Sequence, residues 1–534
     1  MPNLSRLQRQ AYHCFQQGEF NKAERLCAAI LEYRPDDFDA LHLLGMLHFQ
    51  RHRMVEALRF LARALKVNSA SADALSNLGL ALHATGRYDE AISSYRHALD
   101  LAPDHPEILY NLGNACLALD HVDDALSNYD HVLALAPGHV GALVNRGNAL
   151  LRLNQPVEAM ASYDNALAIS PGHPQILTNR GHALRRLDRP VEALANFRAA
   201  LVAGPEFAEA HFEAAMTRLS MGDFDAGWKE YEWRWKTGAF ARHRPQPQAP
   251  LWLGDAPVAG KTILLHAEQG FGDTIQFCRY VPQVAERAAH VIVEVQKPLC
   301  ALMKSLTGAA QIVPRGEALP DFDLHCPLLS LPLAFGTRLE TIPSQTPYLT
   351  APEHKMSVWR DRLSKHELGK QERPRVGLVW AGDPRKSLPG ANRIDRQRSL
   401  QFDRLAPVLE VRDCDFYSLQ KGEDAQAQLR SSALSHRITD WSADFHDFSD
   451  TAALIENLDL VIAVDTAIAH LAGALGKPLW LINRYNTCWR WLLDRDDSPW
   501  YPTARLFRQD ETRDWHPVIT RIAAALRDYV HSVE

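Results

Sequence analysis

Seven copies of one 34-residue pattern fill the first 240 or so residues of this 534-residue chain, without a slip in register. A small residue recurs at Ala11, Gly45, Gly79, Gly113, Gly147, Gly181 and Ala215. An alanine follows twelve positions later at Ala23, Ala57, Ala91, Ala125, Ala159 and Ala193, and proline closes most copies at Pro35, Pro103, Pro137, Pro171 and Pro205. Leucines such as Leu75, Leu78 and Leu82 supply an apolar stripe of helical period, which a single unit can bury only against its neighbours. The small residues let two helices of one unit approach closely, and the prolines end the second helix. Such a sequence can fold only as a stack of helical hairpins.

The period is that of the tetratricopeptide repeat (TPR), whose units stack into a right-handed solenoid with a long concave face. Such faces usually hold another polypeptide, so a protein or peptide acceptor on the concave side is the expected partner. Asn77, Asn111, Asn145 and Asn179 stand 34 residues apart on the first helix of their units and are expected to form a ladder on that face. An asparagine amide donates and accepts at once and can grip a peptide backbone without reading its sequence. The other reading is a row of solvated amides. In this feature the repeats resemble those of O-GlcNAc transferase, a protein glycosyltransferase. The last copy drifts, with Gly227 in place of the alanine and an aromatic run of Trp228, Tyr231, Trp233 and Trp235. That run reads as a cap packing the solenoid onto the second half of the chain, the alternative being an aromatic peptide-binding patch.

Composition excludes several classes. Apolar content of 46% and charged content of 23% are ordinary for a globular protein, and the net charge of −6 gives no pull toward nucleic acid or anionic lipid. No secretory signal and no apolar run long enough for a membrane span is visible, and the eight scattered cysteines include no C-x-x-C pair. A soluble, cytoplasmic chain is expected.

A proline-rich linker, Arg244 to Pro250, introduces a different texture: short apolar runs alternating with helical stretches, as in parallel α/β folds. Strands are predicted at Thr262–His266, Val291–Val295, Gln311–Val313 and Phe322–Cys326 in a first lobe. A connector helix comes next, near Met356–Leu368. A second lobe has strands at Val376–Trp380, Asp415–Leu419, Arg437–Thr439, Leu460–Val464 and Leu479–Ile482. A final helix, Val518–Tyr529, is expected to cross back and brace the lobes. The predicted fold is a TPR α-solenoid (1–241), a linker (242–260), a first Rossmann-like lobe (261–355), a connector (356–373) and a second Rossmann-like lobe (374–534). Ligands of doubly wound folds bind at the carboxyl ends of such strands.

Two loops carry the chemistry. After the first strand comes Glu268-Gln269-Gly270-Phe271-Gly272-Asp273, where glycines let backbone approach a ligand and Asp273 is either a helix N-cap or a projecting carboxylate. Late in the second lobe, Val464-Asp465-Thr466-Ala467-Ile468-Ala469-His470-Leu471-Ala472 is an apolar strand, an acidic turn and a helix of small residues. Taken singly, Asp465 could be an N-cap and His470 a buried core histidine.

Together the two segments resemble the heptosyltransferase family of GT-B glycosyltransferases, which has a Gly-Asp loop after the first strand and an Asp-Thr-Gly-x-x-His-Leu-Ala stretch in the second lobe. The resemblance covers about residues 260–510 and extends to bacterial proteins joining TPR units to this catalytic unit, TPR-type flagellin glycosyltransferases among them. It implies Asp273 as general base and Gly270 and Gly272 as loop residues beside the donor. Asp465, Thr466 and His470 would line the sugar-nucleotide site. Arg398, where the family places a lysine, would neutralise phosphate, with Arg385 or Lys386 behind it; helix N-termini beside Gly382 and Thr466 would add amide donors to the same phosphates, and Glu423 or Asp424 would hold the ribose. Ala467 replaces the motif glycine.

The implied reaction is an inverting, metal-independent transfer of sugar from a nucleotide-sugar donor to a protein Ser/Thr hydroxyl, flagellin being one such acceptor. Alternatives are a lipopolysaccharide or other glycan acceptor, and a non-catalytic TPR adaptor with a decayed GT-B unit. Asp494-Arg495-Asp496-Asp497 has the Asp-x-Asp spacing of metal-dependent transferases, but it comes after Trp489-Arg490-Trp491-Leu492-Leu493 rather than a strand and reads as a solvated loop. The arginine-rich stretch from Asp383 to Arg398 reads as a flexible phosphate-binding loop rather than a nucleic-acid site.

Overall fold

The structure, a computed structural model, describes residues 4–238, 240–241, 249–367, 373–385 and 389–533. The chain divides into two compact units, residues 1–192 and 193–534.

The first unit is a run of antiparallel helical hairpins, beginning with Leu4–Gln16 and Phe20–Tyr33 and continuing through Val140–Arg152 and Pro156–Ile169 to Pro174–Arg186. Close helix approach explains the small residues: a Cβ added at Gly113 would stand 2.7 Å from Cε1 of Tyr129, a fully buried ring on the second helix of the same hairpin. Tyr95 and Tyr163 repeat that position one unit away on either side. Pro35, Pro103, Pro137 and Pro171 each come directly after the residue that caps a second helix. The turns inside the hairpins use left-handed backbone at Gly18, His52, Gly86, Asp120, Asn154 and Asp188, again 34 residues apart. Glycine, asparagine and aspartate tolerate that conformation best.

The last hairpin, Ala208–Ser220 with Phe224–Tyr231, is built into the second unit. Its aromatic run is core rather than an open patch. Trp228, Tyr231 and Trp235 are buried, and Trp228 lies edge-on to Trp489 at 5.3 Å. Trp233 stacks on His211 at 3.8 Å. Past the linker, Leu251 pairs with His325, and Trp252 N–H donates to the His325 carbonyl at 2.8 Å.

Two parallel sheets complete the chain. The first holds β1 (Thr262–His266), β2 (His290–Val295), β3 (Gln311–Pro314) and β4 (Leu324–Pro327) in the order β3-β2-β1-β4. The second holds β5 (Arg375–Val379), β6 (Asp415–Ser418), β7 (Ile438–Asp440), β8 (Leu460–Val464), β9 (Leu479–Asn483) and β10 (Ala504–Arg508), in the order β10-β9-β8-β5-β6-β7. Every pairing within both sheets is parallel. Connections reverse direction between β1 and β4 and between β5 and β8, which makes these the crevices where such sheets receive ligands. Strands β8 and β9 are buried at every residue, as expected of central strands covered on both faces.

The nine predicted strands are present, with ends shifted by a residue or two, and β10 was missed. Its two arginines on an edge strand hide the apolar pattern. The connector helix spans Glu353–His366. The final helix, His516–Val533, packs on β10 and on the short helix Ala406–Leu409 of the second lobe.

Candidate functional site

Asp273 sits at the third position of the helix Phe271–Phe277 that leaves β1. It is not the N-cap. One carboxylate oxygen accepts from the Gly270 N–H at 2.8 Å, and the other accepts from Arg490, which comes from the second lobe. Gln296, just past β2, holds the same loop by donating to the Gln269 carbonyl at 3.0 Å and accepting from Thr274 at 2.9 Å. A Cβ at Gly272 would stand 2.8 Å from Cδ2 of His470, so glycine here allows the helices after β1 and β8 to touch.

On the opposite wall, Asp465 directly follows β8, and Thr466, not Asp465, is the N-cap of the helix Ala467–Ala474. The Asp465 carboxylate accepts from the Trp491 indole N–H at 2.9 Å, and its carbonyl accepts from Arg398 at 2.7 Å. Arg398 also donates to Asp395 at 3.1 Å. Ser399 donates to the other Asp395 oxygen at 3.1 Å and accepts from the Gly382 N–H at 2.9 Å. Gly382, Arg398 and Asp465 therefore meet at the β5/β8 crevice. Thr466 Oγ1 is shielded from solvent without a hydrogen-bond partner among the described residues. The first N–H groups of its helix have no intrahelical acceptor.

His470 is buried, stacks on Trp491 at 5.1 Å and contacts the Tyr501 hydroxyl through Nδ1 at 3.0 Å. Burial pushes its pKa down to about 4, so it is neutral near pH 7. Burial alone would raise the Asp465 pKa. His470, the Arg398 guanidinium and the Trp491 N–H outweigh it and hold Asp465 below the ordinary aspartate value. With His470 neutral, Arg398, the Trp491 N–H and Arg484 carry that stabilisation at neutral pH.

The remaining expected residues lie farther out. Arg385 is exposed in a left-handed turn with its N–H on Asp383 at 3.0 Å, and Lys386 lies outside the described residues. The stretch before Arg398 is not a flexible loop throughout, since Pro389–Arg398 is helical. Gly382 lies in the non-helical stretch after β5 and is not at the N-terminus of a described helix. Glu423 and Asp424 are exposed in the first turn of Glu423–Ser431, after β6, with Glu423 paired to Arg430. The loop that carries them is tied to the loop after β5 through Gln420, which accepts from the N–H groups of Trp380 (3.1 Å) and Ala381 (2.9 Å).

Sequence reading missed Arg490, Trp491 and Arg484, whose guanidinium donates to Gln397 at 3.2 Å and whose charge adds to the lowering of the Asp465 pKa. All three lie after β9, at the carboxyl edge where a doubly wound sheet places its ligand loops, and that position was the available signal. The Asp494–Asp497 turn closes on itself, with Arg495 gripping both oxygens of Asp497 at 2.6 and 2.7 Å. Among the described residues no group of three or more His, Cys, Asp or Glu is arranged to hold a metal ion.

In the first unit the asparagine ladder is largely engaged by its own repeats. Asn77 meets His42 at 2.8 Å, Asn145 donates to Asn114 at 2.8 Å, and Asn179 donates to Asn148 at 3.1 Å. Tyr129 and Tyr163 donate to the same two acceptors at 2.8 Å. Asn111 is half-buried. Asn114 and Asn148, three residues along the helix and 34 apart, form a second pair of amides that went unread.

The chain thus joins an array of helical hairpins to two parallel α/β lobes that place carboxylates, guanidinium groups and a helix N-terminus at the carboxyl ends of their strands. The comparisons with known proteins specify the class. Residues 15–79, 70–138, 110–174 and 178–232 match tetratricopeptide repeat models. Residues 399–487 match glycosyltransferase family 9 (heptosyltransferase), a span that includes Asp465, Thr466 and His470 and begins just after Arg398. The chain is similar to Protein FlbA of Caulobacter vibrioides, at 26% identity over 352 residues that cover 61% of this chain and 56% of that protein. It therefore spans little more than half the length of this relative. Among solved structures it is similar to the TPR protein YrrB (21% identity, 34% of this chain and 95% of that one, TM-score 0.31). It is also similar to a tetratricopeptide repeat protein from Parabacteroides merdae (17% identity, 44% and 93%, TM-score 0.39).

Proposed function

We propose that this chain is a glycosyltransferase that moves a sugar from a nucleotide-sugar donor to a hydroxyl group of a protein acceptor recruited by its TPR repeats. The observation that carries this reading is the meeting of Asp273 with Arg490 across the carboxyl edges of two parallel sheets, next to the Asp465–Trp491 contact within the second lobe. Asp273 takes the proton of the acceptor hydroxyl while that oxygen bonds to the anomeric carbon. The bond from this carbon to the diphosphate breaks, its electron pair leaving with the diphosphate, and a single displacement inverts the configuration. Arg398 and the first N–H groups of the helix Ala467–Ala474 face the developing phosphate charge, with no metal needed. Glu423 or Asp424 selects the ribose, and the repeats supply the Ser/Thr-bearing acceptor.

The test is a thermal-shift series with UDP, ADP, GDP, CMP and their sugar conjugates, and then transfer assays with the ligand that binds. A ligand at a hundred times its Kd adds about 2.7 kcal/mol to the fold that holds it. One nucleotide class should stabilise the chain, and Asp465→Ala should abolish the shift. Asp273→Asn should keep the shift and lose transfer. A well-folded chain that no nucleotide stabilises would refute the reading and favour the adaptor.

A further inference from the structure

The helices Leu4–Gln16, Phe38–Gln50, Ala72–Ala84 and Pro106–Ala118, each the first of its hairpin, line a cavity of about 780 Å³ at the start of the repeats. That is the size of a ligand pocket. Ala40, Leu43 and Ile108 are buried members of its lining, Met46 is half-buried, and the Tyr12 side chain is 53% exposed. Acceptors stand beside this apolar surface. Asp39 and Asp73 are exposed, 34 residues apart, each in the first turn of its helix. Asp73 has no hydrogen bond or ion pair among the described residues, and Asp39 has a long contact with the Gln8 amide at 3.5 Å.

His42 belongs to the same lining and is neutral near pH 7, because burial pushes its pKa below the ordinary histidine value against the pull of Asp73 and Asp39. Its Nε2 accepts from the Asn77 amide nitrogen at 2.8 Å, which leaves Asn77 Oδ1 without a partner among the described residues. Arg9 also lines the cavity and offsets one of the two carboxylates at most. First-turn carboxylates complement a helix dipole. That accounts for Asp39 and Asp73 singly, but not for both meeting one cavity, without a cation bound to either, beside an open amide oxygen.

We propose that this cavity takes hold of an extended polypeptide and selects a lysine or arginine side chain in it. The cationic head donates to Asp39, Asp73 and Asn77 Oδ1, and the aliphatic stem lies along Met46 and Tyr12. A solenoid face suits an extended chain, which can run on past the cavity along further repeats. That this polypeptide is the acceptor of sugar transfer rests on the reading above; the preference for a cationic side chain rests on the cavity.

The test titrates the full chain into pools of fluorescein-labelled, end-blocked twelve-residue peptides, each pool fixed at one central position as Lys, Arg, Gln or Glu, with fluorescence polarisation as the readout. The Lys and Arg pools should bind about threefold to tenfold more tightly than the Gln pool, the worth of one or two exposed ion pairs. The preference should disappear in Asp39→Asn/Asp73→Asn and turn toward Glu in Asp39→Lys/Asp73→Lys. Asp89→Asn/Asp123→Asn removes two first-turn carboxylates from second helices, changes net charge equally, and should keep the preference. Native chain that binds all pools alike, or none, would overturn the proposal, as would a preference lost equally in the Asp89/Asp123 control. Spermidine bound as tightly as the Lys pool would assign the cavity to a free polyamine and equally overturn it. No arm requires a sugar donor. Transfer without the preference would sink this proposal alone, and the preference without transfer would refute the transferase reading while leaving the cavity's choice intact.

Discussion

Replacing Arg234 with methionine removes the charge at the centre of a buried network between the last helical hairpin and the loop that leads to Asp273. The Arg234 side chain is 0% exposed, and its partner Glu268, five residues before Asp273, is 2% exposed. Arg234 donates to Glu268 at 3.0 and 3.3 Å, to Glu232 at 2.7 Å and to Ser330 at 2.7 Å, and lies 4.5 Å over the Trp235 ring. Burial opposes the Arg234 charge, but Glu268 and Glu232 outweigh it and raise its pKa. For Glu268, burial wins and holds the pKa above the ordinary glutamate value even with Arg234 beside it. Arg234→Met leaves that carboxylate buried without its cation, a change that costs about 3–5 kcal/mol.

Urea denaturation monitored by tryptophan fluorescence measures the loss. The double variant Arg234→Met/Glu268→Gln should recover most of it, because neutral groups then face each other. The pH dependence has a definite sign. An acid whose folded pKa lies above its unfolded value binds more protons when folded, so stability falls as pH rises between the two values. Losing Arg234 raises the folded value further, and the single variant should therefore regain stability between pH 7 and pH 5, more than the native chain does. A single variant within about 1 kcal/mol of native, or a double variant as weak as the single, would refute the reasoning.

The packing and charge of the site set two further outcomes. Gly272→Ala places a Cβ 2.8 Å from the His470 ring, which is fixed by its stack on Trp491, and should cost about 1–3 kcal/mol. Gly270→Ala, whose Cβ meets only Asp273 at 3.2 Å, should cost clearly less, and equal losses in urea would contradict the described contact. His470 and His266 are buried, with pKa values pushed down to about 4 and about 3, so the unfolded chain binds protons that the folded chain does not. Their contribution is complete above about pH 6.5 and is lost as pH falls toward 4, at about 1.4 kcal/mol per unit and per group. A His266→Asn chain whose stability falls across that window as steeply as the native chain's would refute this.

The repeats were legible because the 34-residue spacing is a local rule: Gly113 stands sixteen residues from Tyr129, and a hairpin turn suffices to bring them together. The strands of both lobes were legible as short apolar runs, except β10, whose arginines mask it. The functions of Asp273 and Asp465 were sought in the residues nearest them in sequence, where each could pass for a helix cap. The structure makes neither an N-cap, and gives their carboxylates to Arg490 and Trp491, 217 and 26 residues away. The asparagine ladder was found by period, but its engagement by Asn114 and Asn148 was not, since a period says nothing about which way an amide turns.

Read alone, the sequence determined the solenoid, the order of α/β elements, the two loops rich in glycine and aspartate, and the resemblance that joined them. These depend on backbone propensity and on contacts between neighbours in the chain. Tertiary structure decided that the last hairpin is built into the α/β unit, that Arg398, Gly382 and Asp465 share one crevice, and that a Trp-Arg-Trp turn links the two carboxylates. Buried charge is settled by whatever counter-charge the fold brings within reach, and for Asp273 that partner arrives from the other lobe.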